Sequence, residues 1–91
     1  MTRFVIALSL ARAALSMSSA AAAELVYVEL KSCVYCMRFN RQMAHEYRTS
    51  EIGRQIPLRP VNLNRRWPAD LKDVDRPPYT PVFILVEDGR E

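Results

Sequence analysis

The chain has 91 residues, enough for one small domain. Of these, 49% are hydrophobic and 25% are charged, which is the composition of an ordinary globular protein. The formal charge of +3 comes mainly from residues 1–23, which hold Arg3 and Arg12 and no acid, so the remainder has eleven basic and ten acidic side chains. This near balance gives no electrostatic reason to expect a nucleic-acid partner. We interpret the one basic–aromatic cluster, Arg65 to Trp67, as a solvated loop.

The first 23 residues have the pattern of a secretory signal peptide. A short cationic start precedes a mostly apolar stretch from Phe4 to Leu15, and small residues end at Ala20–Ala23. The pattern predicts a signal peptide over 1–23, a mature domain over 24–91, and export to an oxidising compartment with membrane contact only during export. Arg12 interrupts the apolar run, which leaves an alanine-rich cytosolic helix as the alternative. The uninterrupted run is shorter than a membrane-spanning helix needs.

An apolar run from Leu25 to Leu30 leads directly to the chain's two cysteines. Both alternating faces of this run are largely apolar, which predicts a central β-strand covered on both sides. Two residues later come Cys33 and Cys36, spaced C-x-x-C, with Ser32 as the predicted N-cap of a helix that starts at Cys33. In an oxidising compartment, a lone pair with this spacing favours thiol–disulfide chemistry over half of a zinc site.

An amphipathic helix is predicted to follow from Cys33, to fray by Thr49–Ser50 and to end near Ile52–Gly53. At 100° per residue, fourteen of its residues separate into an apolar and a polar half, with Asn40 as the polar residue in the apolar half. The apolar half holds both cysteines and a stripe that we interpret as core rather than as a cofactor pocket: Phe39, Met43 and Tyr47. His45, the only histidine, falls on the polar half, which argues against a metal site within one chain.

The predicted helix gives the two sulfurs different surroundings. Cys33 would lie in the first turn, where free backbone N–H groups and the positive end of the helix dipole favour a thiolate. Cys36 would lie one turn later on the buried side, shielded from solvent. An exposed sulfur that attacks and a shielded one that resolves suit a dithiol oxidoreductase. The alternative is a static disulfide, but so small a loop constrains the unfolded chain little.

The second half of the chain predicts two further strands. Leu58 to Leu63 alternates like a strand, and Pro60 places it at a sheet edge because proline donates no ladder hydrogen bond. A short helical turn at 69–74 and a proline-rich loop follow. Val82 to Val86 is a second apolar strand, and Asp88–Gly89 predicts a hairpin turn after it.

This order of parts resembles the thioredoxin-like family. A buried strand runs into C-x-x-C at a helix start, an edge strand follows, and Thr80–Pro81 precedes an apolar strand. The chain looks most like the small periplasmic thioredoxins of the SoxS type, from bacterial sulfur oxidation. The resemblance implies an α/β fold, the thioredoxin-like three-layer sandwich, and a periplasmic location. It also implies that Pro81 is cis beside the C-x-x-C, and that Thr80 and Pro81 bind substrate backbone.

The chain departs from the family in three places. Val34–Tyr35 stands where ordinary thioredoxins have Gly-Pro, and no tryptophan precedes Cys33. Tyr27 stands near the position of the family's buried acid. The family's final strand and C-terminal helix have no counterpart before Glu91, so we expect an incomplete sandwich, a truncated product, and an unpaired sheet edge open to self-association.

These observations lead to two functional hypotheses. The first is a periplasmic thiol–disulfide oxidoreductase, in which Cys33 attacks, Cys36 resolves, and no cofactor beyond the cysteine pair is needed. By resemblance, its substrate is a disulfide on a periplasmic partner protein of sulfur oxidation, which reduction keeps active. The alternative is a truncated, non-catalytic interaction module or an inactive fragment.

Overall fold

The computed structural model describes residues 23–91. The predicted signal peptide therefore lies, apart from Ala23, outside the described residues. From residue 23 onward, no helix is long and apolar enough to cross a membrane. The elements in chain order are β1 (Ala23–Glu29), α1 (Val34–Gln42), α2 (Ala44–Thr49), α3 (Glu51–Gln55), β2 (Leu58–Asn62), a 3-10 turn (Ala69–Leu71) and β3 (Val82–Glu87).

The described strands form one sheet of order β2–β1–β3, with β1 in the centre. β1 runs parallel to β2, with Glu29 opposite Asn62, and antiparallel to β3, with Val28 opposite Val82. The central position of β1 and the edge position of the Pro60 strand are confirmed. The carboxyl ends of β1 and β2 and the beginning of β3 consequently meet at one end of the sheet, which we call the site end.

Each face of the sheet buries its own apolar cluster. Tyr27 of β1 packs beneath the helices with Cys36, Ala44 and Leu58. The opposite face of the sheet packs against the segment around the 3-10 turn. The buried residues of this second cluster, from the strands and from that segment, are Val26, Val28, Val61, Leu71, Val74, Ile84 and Val86. The described residues therefore form a mixed α/β fold, as the family resemblance implies, with helices over one face of the sheet.

The prediction of a single long helix after the cysteines is wrong, because three short helices take its place. Met43 (φ −124°, ψ −29°) separates α1 from α2, and the extended backbone of Ser50 (φ −74°, ψ 163°) separates α2 from α3. The Ser50 hydroxyl oxygen accepts a hydrogen bond from the Gly53 N–H over 3.0 Å, which starts α3 as a new capped turn. Apolar periodicity continues across the break at Met43 and could not reveal it, whereas the second break falls at Thr49–Ser50, where the sequence predicts fraying.

The predicted hairpin turn after β3 is confirmed. Asp88 and Gly89 both have positive φ, 53° and 75°, which a type I′ turn requires. Glu87 and Arg90 bond to each other through their main chains on either side of the turn.

Candidate active site

The turn after β1 places Cys33 at the start of α1. Cys33 has an extended backbone (φ −78°, ψ 112°) and is itself the N-cap residue, so the prediction that Ser32 caps the helix is wrong. Its Sγ accepts a hydrogen bond from the Cys36 N–H over 3.1 Å. A sulfur at this position receives one of the backbone donors that a helix start leaves free. The same contact favours negative charge on Cys33 when the pair is reduced.

The two cysteines are joined as a disulfide, with their Cα atoms 5.1 Å apart. Cys36 is 0% exposed within the cluster beneath the helices, whereas Cys33 is only partly buried against it. The predicted difference in shielding is therefore present. A second sulfur that solvent does not reach can act only on the sulfur beside it.

Tyr27 lies directly beneath the cysteine pair. Its hydroxyl donates a hydrogen bond to the Cys36 main-chain oxygen over 3.1 Å, and the side chain is 1% exposed. Its ring packs against Phe39 at 4.7 Å and stacks on Phe83 at 4.9 Å between centroids. Burial, together with the nearby Glu29 carboxylate, raises the pKa of Tyr27 to about 12. The hydroxyl is therefore a neutral donor throughout the physiological range.

Asn40 and Glu29 form a polar link between α1 and the end of β1. The Asn40 side-chain amide donates to a Glu29 carboxylate oxygen over 3.0 Å. This contact explains why one polar residue interrupts the apolar half of the predicted helix. It fixes the helix that carries the cysteines to the central strand on its site-end side.

Thr80 and Pro81 lie at the same end of the sheet as the cysteines. The peptide bond between them is cis, as the family resemblance implies, and both residues are partly buried. Val82, the next residue, pairs with Val28 near the end of β1, so Thr80 and Pro81 extend past the sheet toward the turn that holds Cys33. The topology thus brings all four residues proposed from the sequence to the site end.

Exposed apolar side chains surround the cysteine pair. Val34 and Tyr35, between the cysteines, and Met37 and Tyr79 are between 50% and 66% exposed. The Arg38 guanidinium lies over the Tyr35 ring, 5.8 Å from its centroid. Met37 follows Cys36 directly on α1, and its side chain lies at this surface.

The stripe interpreted as core is only partly buried. Phe39 and Tyr47 pack against the cluster beneath the helices, but Met43 is 58% exposed. The prediction of Met43 as core is wrong because it assumes one straight helix, and the chain breaks at this residue. These three side chains line an open concavity of about 300 Å³ together with Glu46 and Ser50.

His45 is exposed on α2, as predicted. Across residues 23–91, no three histidine, cysteine or acidic side chains are grouped so as to hold a metal ion.

Among solved structures, the chain is similar to the periplasmic thioredoxin SoxS from Paracoccus pantotrophus in its reduced form. The two share 26% sequence identity and a TM-score of 0.64 over 70% of this chain and 67% of that chain. The chain has a thioredoxin-like fold. No protein-family model matches the sequence, and no curated protein matches it either. A C-x-x-C pair at disulfide distance in this fold supports redox activity for the thioredoxin-like chain.

One residue of the thioredoxin-like site has a contact that sequence reasoning missed. Tyr27 was noted only as standing near the family's buried acid, whereas its hydroxyl bonds the Cys36 main chain. A usable signal was present, because a tyrosine on a strand buried on both faces needs a partner for its hydroxyl. The nearest main-chain acceptors belong to the helix that packs on that face.

Proposed function

We propose that this chain is a periplasmic thiol–disulfide oxidoreductase that exchanges disulfides with a partner protein. The observation that carries the proposal is the unequal pair at the start of α1. Cys33 is partly exposed and accepts a backbone N–H, and Cys36 is fully shielded beside it. The reaction needs an accessible thiolate and a neighbouring thiol that completes the exchange.

In the first step, the Cys33 thiolate attacks one sulfur of the substrate disulfide. The substrate S–S bond breaks, its other sulfur leaves as a thiolate and takes up a proton, and a mixed disulfide joins Cys33 to the substrate. The Cys36 N–H, which donates to the Cys33 Sγ in the oxidised pair, stabilises the attacking thiolate.

In the second step, Cys36 loses its proton and its sulfur attacks the Cys33 Sγ. The mixed disulfide breaks, and the second substrate sulfur leaves as a thiol. Two electrons and two protons pass to the substrate, and the pair ends as the disulfide that joins Cys33 to Cys36. A dithiol donor reduces the pair again, and the same steps run in reverse oxidise a substrate dithiol.

Thr80 and Pro81 would present main-chain groups to the substrate polypeptide beside the sulfurs. Their support is their place at the site end, next to the first residue of β3. An extended substrate can pair with main-chain groups at this position, while its disulfide lies over Cys33.

Two independent sources support the proposed periplasmic location, and the partner is implied by the family resemblance alone. The N-terminal pattern of the sequence is that of an exported protein. The similar solved structure is of a periplasmic thioredoxin. We therefore assign the chain to the periplasm, acting on a protein disulfide there, with a partner in sulfur oxidation as the specific candidate.

The test is the reduction of a disulfide polypeptide such as insulin by dithiothreitol in the presence of the full 91-residue chain. The wild-type chain should accelerate reduction, and Cys33→Ser and Cys36→Ser should each abolish the acceleration. Ser32→Ala, at an exposed neighbouring residue without a capping role, should retain it. Equal acceleration by wild type and by a Cys33→Ser/Cys36→Ser double variant would overturn the proposal.

A second candidate function is a non-catalytic interaction module. β3 forms an edge of the described sheet, and Phe83 and Leu85 on it are 43% and 50% exposed. An edge strand with apolar side chains can pair with a strand of a second copy or of another protein. Under this alternative, the double cysteine variant would bind its partner as well as the wild type does.

A further inference from the structure

We propose that the substrate of this site is an acidic segment, which carries a disulfide and a bulky apolar side chain next to one of its cysteines. This inference rests on the proposed exchange reaction and names the chemistry of its partner. It derives from the distribution of charge between the two ends of the sheet.

The two segments that carry the candidate site contain basic residues and no acid. Residues 30–42 include Lys31, Arg38 and Arg41, and residues 76–81 include Arg76. Lys31 and Arg38 are exposed on either side of Cys33 in sequence, and the Arg76 guanidinium donates to the Leu63 main-chain oxygen, just past the end of β2.

Further basic residues lie at this end of the sheet. Arg65 and Arg66 are exposed and follow directly after β2 ends at Asn62. The acids nearest to the site segments in sequence are Glu29, which accepts the Asn40 amide, and Asp75, the neighbour of Arg76. Positive charge therefore exceeds negative charge around the cysteine pair.

The opposite end of the sheet has the reverse balance, because its acids outnumber Arg59 and Arg90. Glu24 is the second residue of β1, Glu87 ends β3, and Asp88 and Glu91 lie in and after its turn. Arg59 bonds both Glu24 and Asp70, so Asp70 also lies at this end of the sheet. A chain that is nearly neutral over residues 23–91 is thus polarised, with its positive end at the site.

This polarity selects among disulfide substrates by steering. An acidic segment is attracted to the site end, and a basic one is repelled, before any sulfur contact forms. Arg38 over Tyr35 places a cation directly beside exposed apolar surface, so one substrate segment can make both contacts. A bulky apolar side chain next to the substrate cysteine would cover Val34 and Tyr35.

The test uses three oxidised peptides with the same disulfide and the same leucine beside one cysteine, flanked by glutamate, glutamine or lysine. The readout is kcat/KM for their reduction by dithiothreitol with the full 91-residue chain, at low and at high salt. The glutamate peptide should react about tenfold faster than the glutamine peptide at low salt, and the lysine peptide should react slowest. High salt should remove most of the difference.

Two double variants locate the effect. Lys31→Gln/Arg38→Gln should bring the three peptides close to one common rate. The matched control Arg54→Gln/Arg90→Gln removes the same charge from exposed positions on α3 and the β3 turn, and should leave the preference intact. Equal rates for the three peptides with wild type, or a preference lost only in the control, would overturn this inference and leave the exchange reaction standing. Failure to reduce any peptide would overturn the exchange reaction itself, and this inference with it.

Discussion

The hydroxyl of Tyr27 donates a hydrogen bond to the main-chain oxygen of Cys36, at a distance of 3.1 Å. This contact joins the central strand to the helix turn that carries the shielded sulfur. The Cys36 oxygen lies within α1, where the helix already supplies it with a backbone donor, so the hydroxyl is a second donor to it. The strand thereby holds the cysteine turn from beneath.

Removing this hydroxyl should weaken the fold without disturbing its packing. Tyr27→Phe keeps the ring contacts with Phe39 and Phe83 and should cost about 1 kcal/mol in the free energy of unfolding, the usual net value of one hydrogen bond. Urea unfolding of the oxidised chain measures it. Tyr79→Phe, at an exposed tyrosine, is the control and should change little. Equal losses in both variants would contradict the role given to the Tyr27 hydroxyl.

The same residue predicts a loss of stability in alkali. The folded chain raises the pKa of Tyr27 from 10.0 to about 12, because burial and the Glu29 carboxylate disfavour the phenolate. The protonated Tyr27 side chain therefore contributes to the free energy of unfolding. This contribution is fully present below about pH 10 and is lost as the pH rises through about 12, which lowers the free energy of unfolding by at most about 3 kcal/mol. The free energy of unfolding, measured at about pH 9 and about pH 12, should fall by this amount in wild type and by less in Tyr27→Phe. Identical falls would contradict it.

Gly53 should not accept a side chain. A Cβ at this position would lie 1.8 Å from the Tyr47 main-chain oxygen, which also accepts the Ser50 hydroxyl. Gly53→Ala should therefore shift α3 and destabilise the chain by on the order of 2 kcal/mol, as overpacking does. Thermal unfolding is the measurement, and Arg54→Ala, at the exposed neighbour, is the control. A Gly53→Ala chain as stable as wild type would show that the close approach is relieved at no cost.

Arg59 ties three segments together at the end of the sheet opposite the cysteines. Its guanidinium bonds Glu24 at 2.7 Å and both oxygens of Asp70, at 2.6 Å and 2.9 Å. Arg59→Gln should lower the free energy of unfolding slightly at neutral pH, because ion pairs this exposed to solvent contribute little even when one is bidentate. Arg54→Gln, with no ion pair among the described residues, is the matched control.

The loss in Arg59→Gln should depend on pH. The Arg59 hydrogen bonds lower the pKa of Asp70 from its ordinary 3.8 in the folded chain. The contribution of Asp70 is present above about pH 4 and is lost as the pH falls through the lower folded value. Urea unfolding in acid should therefore bring wild type and Arg59→Gln closer together. A constant difference down to the acid limit would contradict this assignment.

The strands and the cysteine pair could be predicted because their signals are local. Val26 and Val28 alternate with Leu25 and Tyr27, so both faces of β1 are apolar, and Pro60 identifies an edge. The pairing directions of the strands do not follow from such local patterns. The thioredoxin-like fold itself entered through the resemblance carried by the C-x-x-C and Thr80–Pro81.

The break at Met43 and the cap at Cys33 could not be predicted from periodicity. The apolar pattern runs on through Met43, whereas fraying is predicted at Thr49–Ser50, where Ser50 has the side chain of an N-cap. The cap falls on Cys33 rather than Ser32 because the Cys33 sulfur takes the Cys36 N–H. Local hydrogen bonds of this kind depend on the folded geometry.

The most direct test of the proposed reaction is to trap its intermediate. Each single cysteine variant of the full chain is reduced, mixed with an oxidised disulfide peptide, and examined by mass spectrometry for a covalent adduct. Cys36→Ser should accumulate a mixed disulfide through Cys33, because the resolving thiol is missing. Cys33→Ser should form none at a comparable rate, because Cys36 is shielded. No adduct with Cys36→Ser, or one formed equally fast through Cys36, would contradict the account.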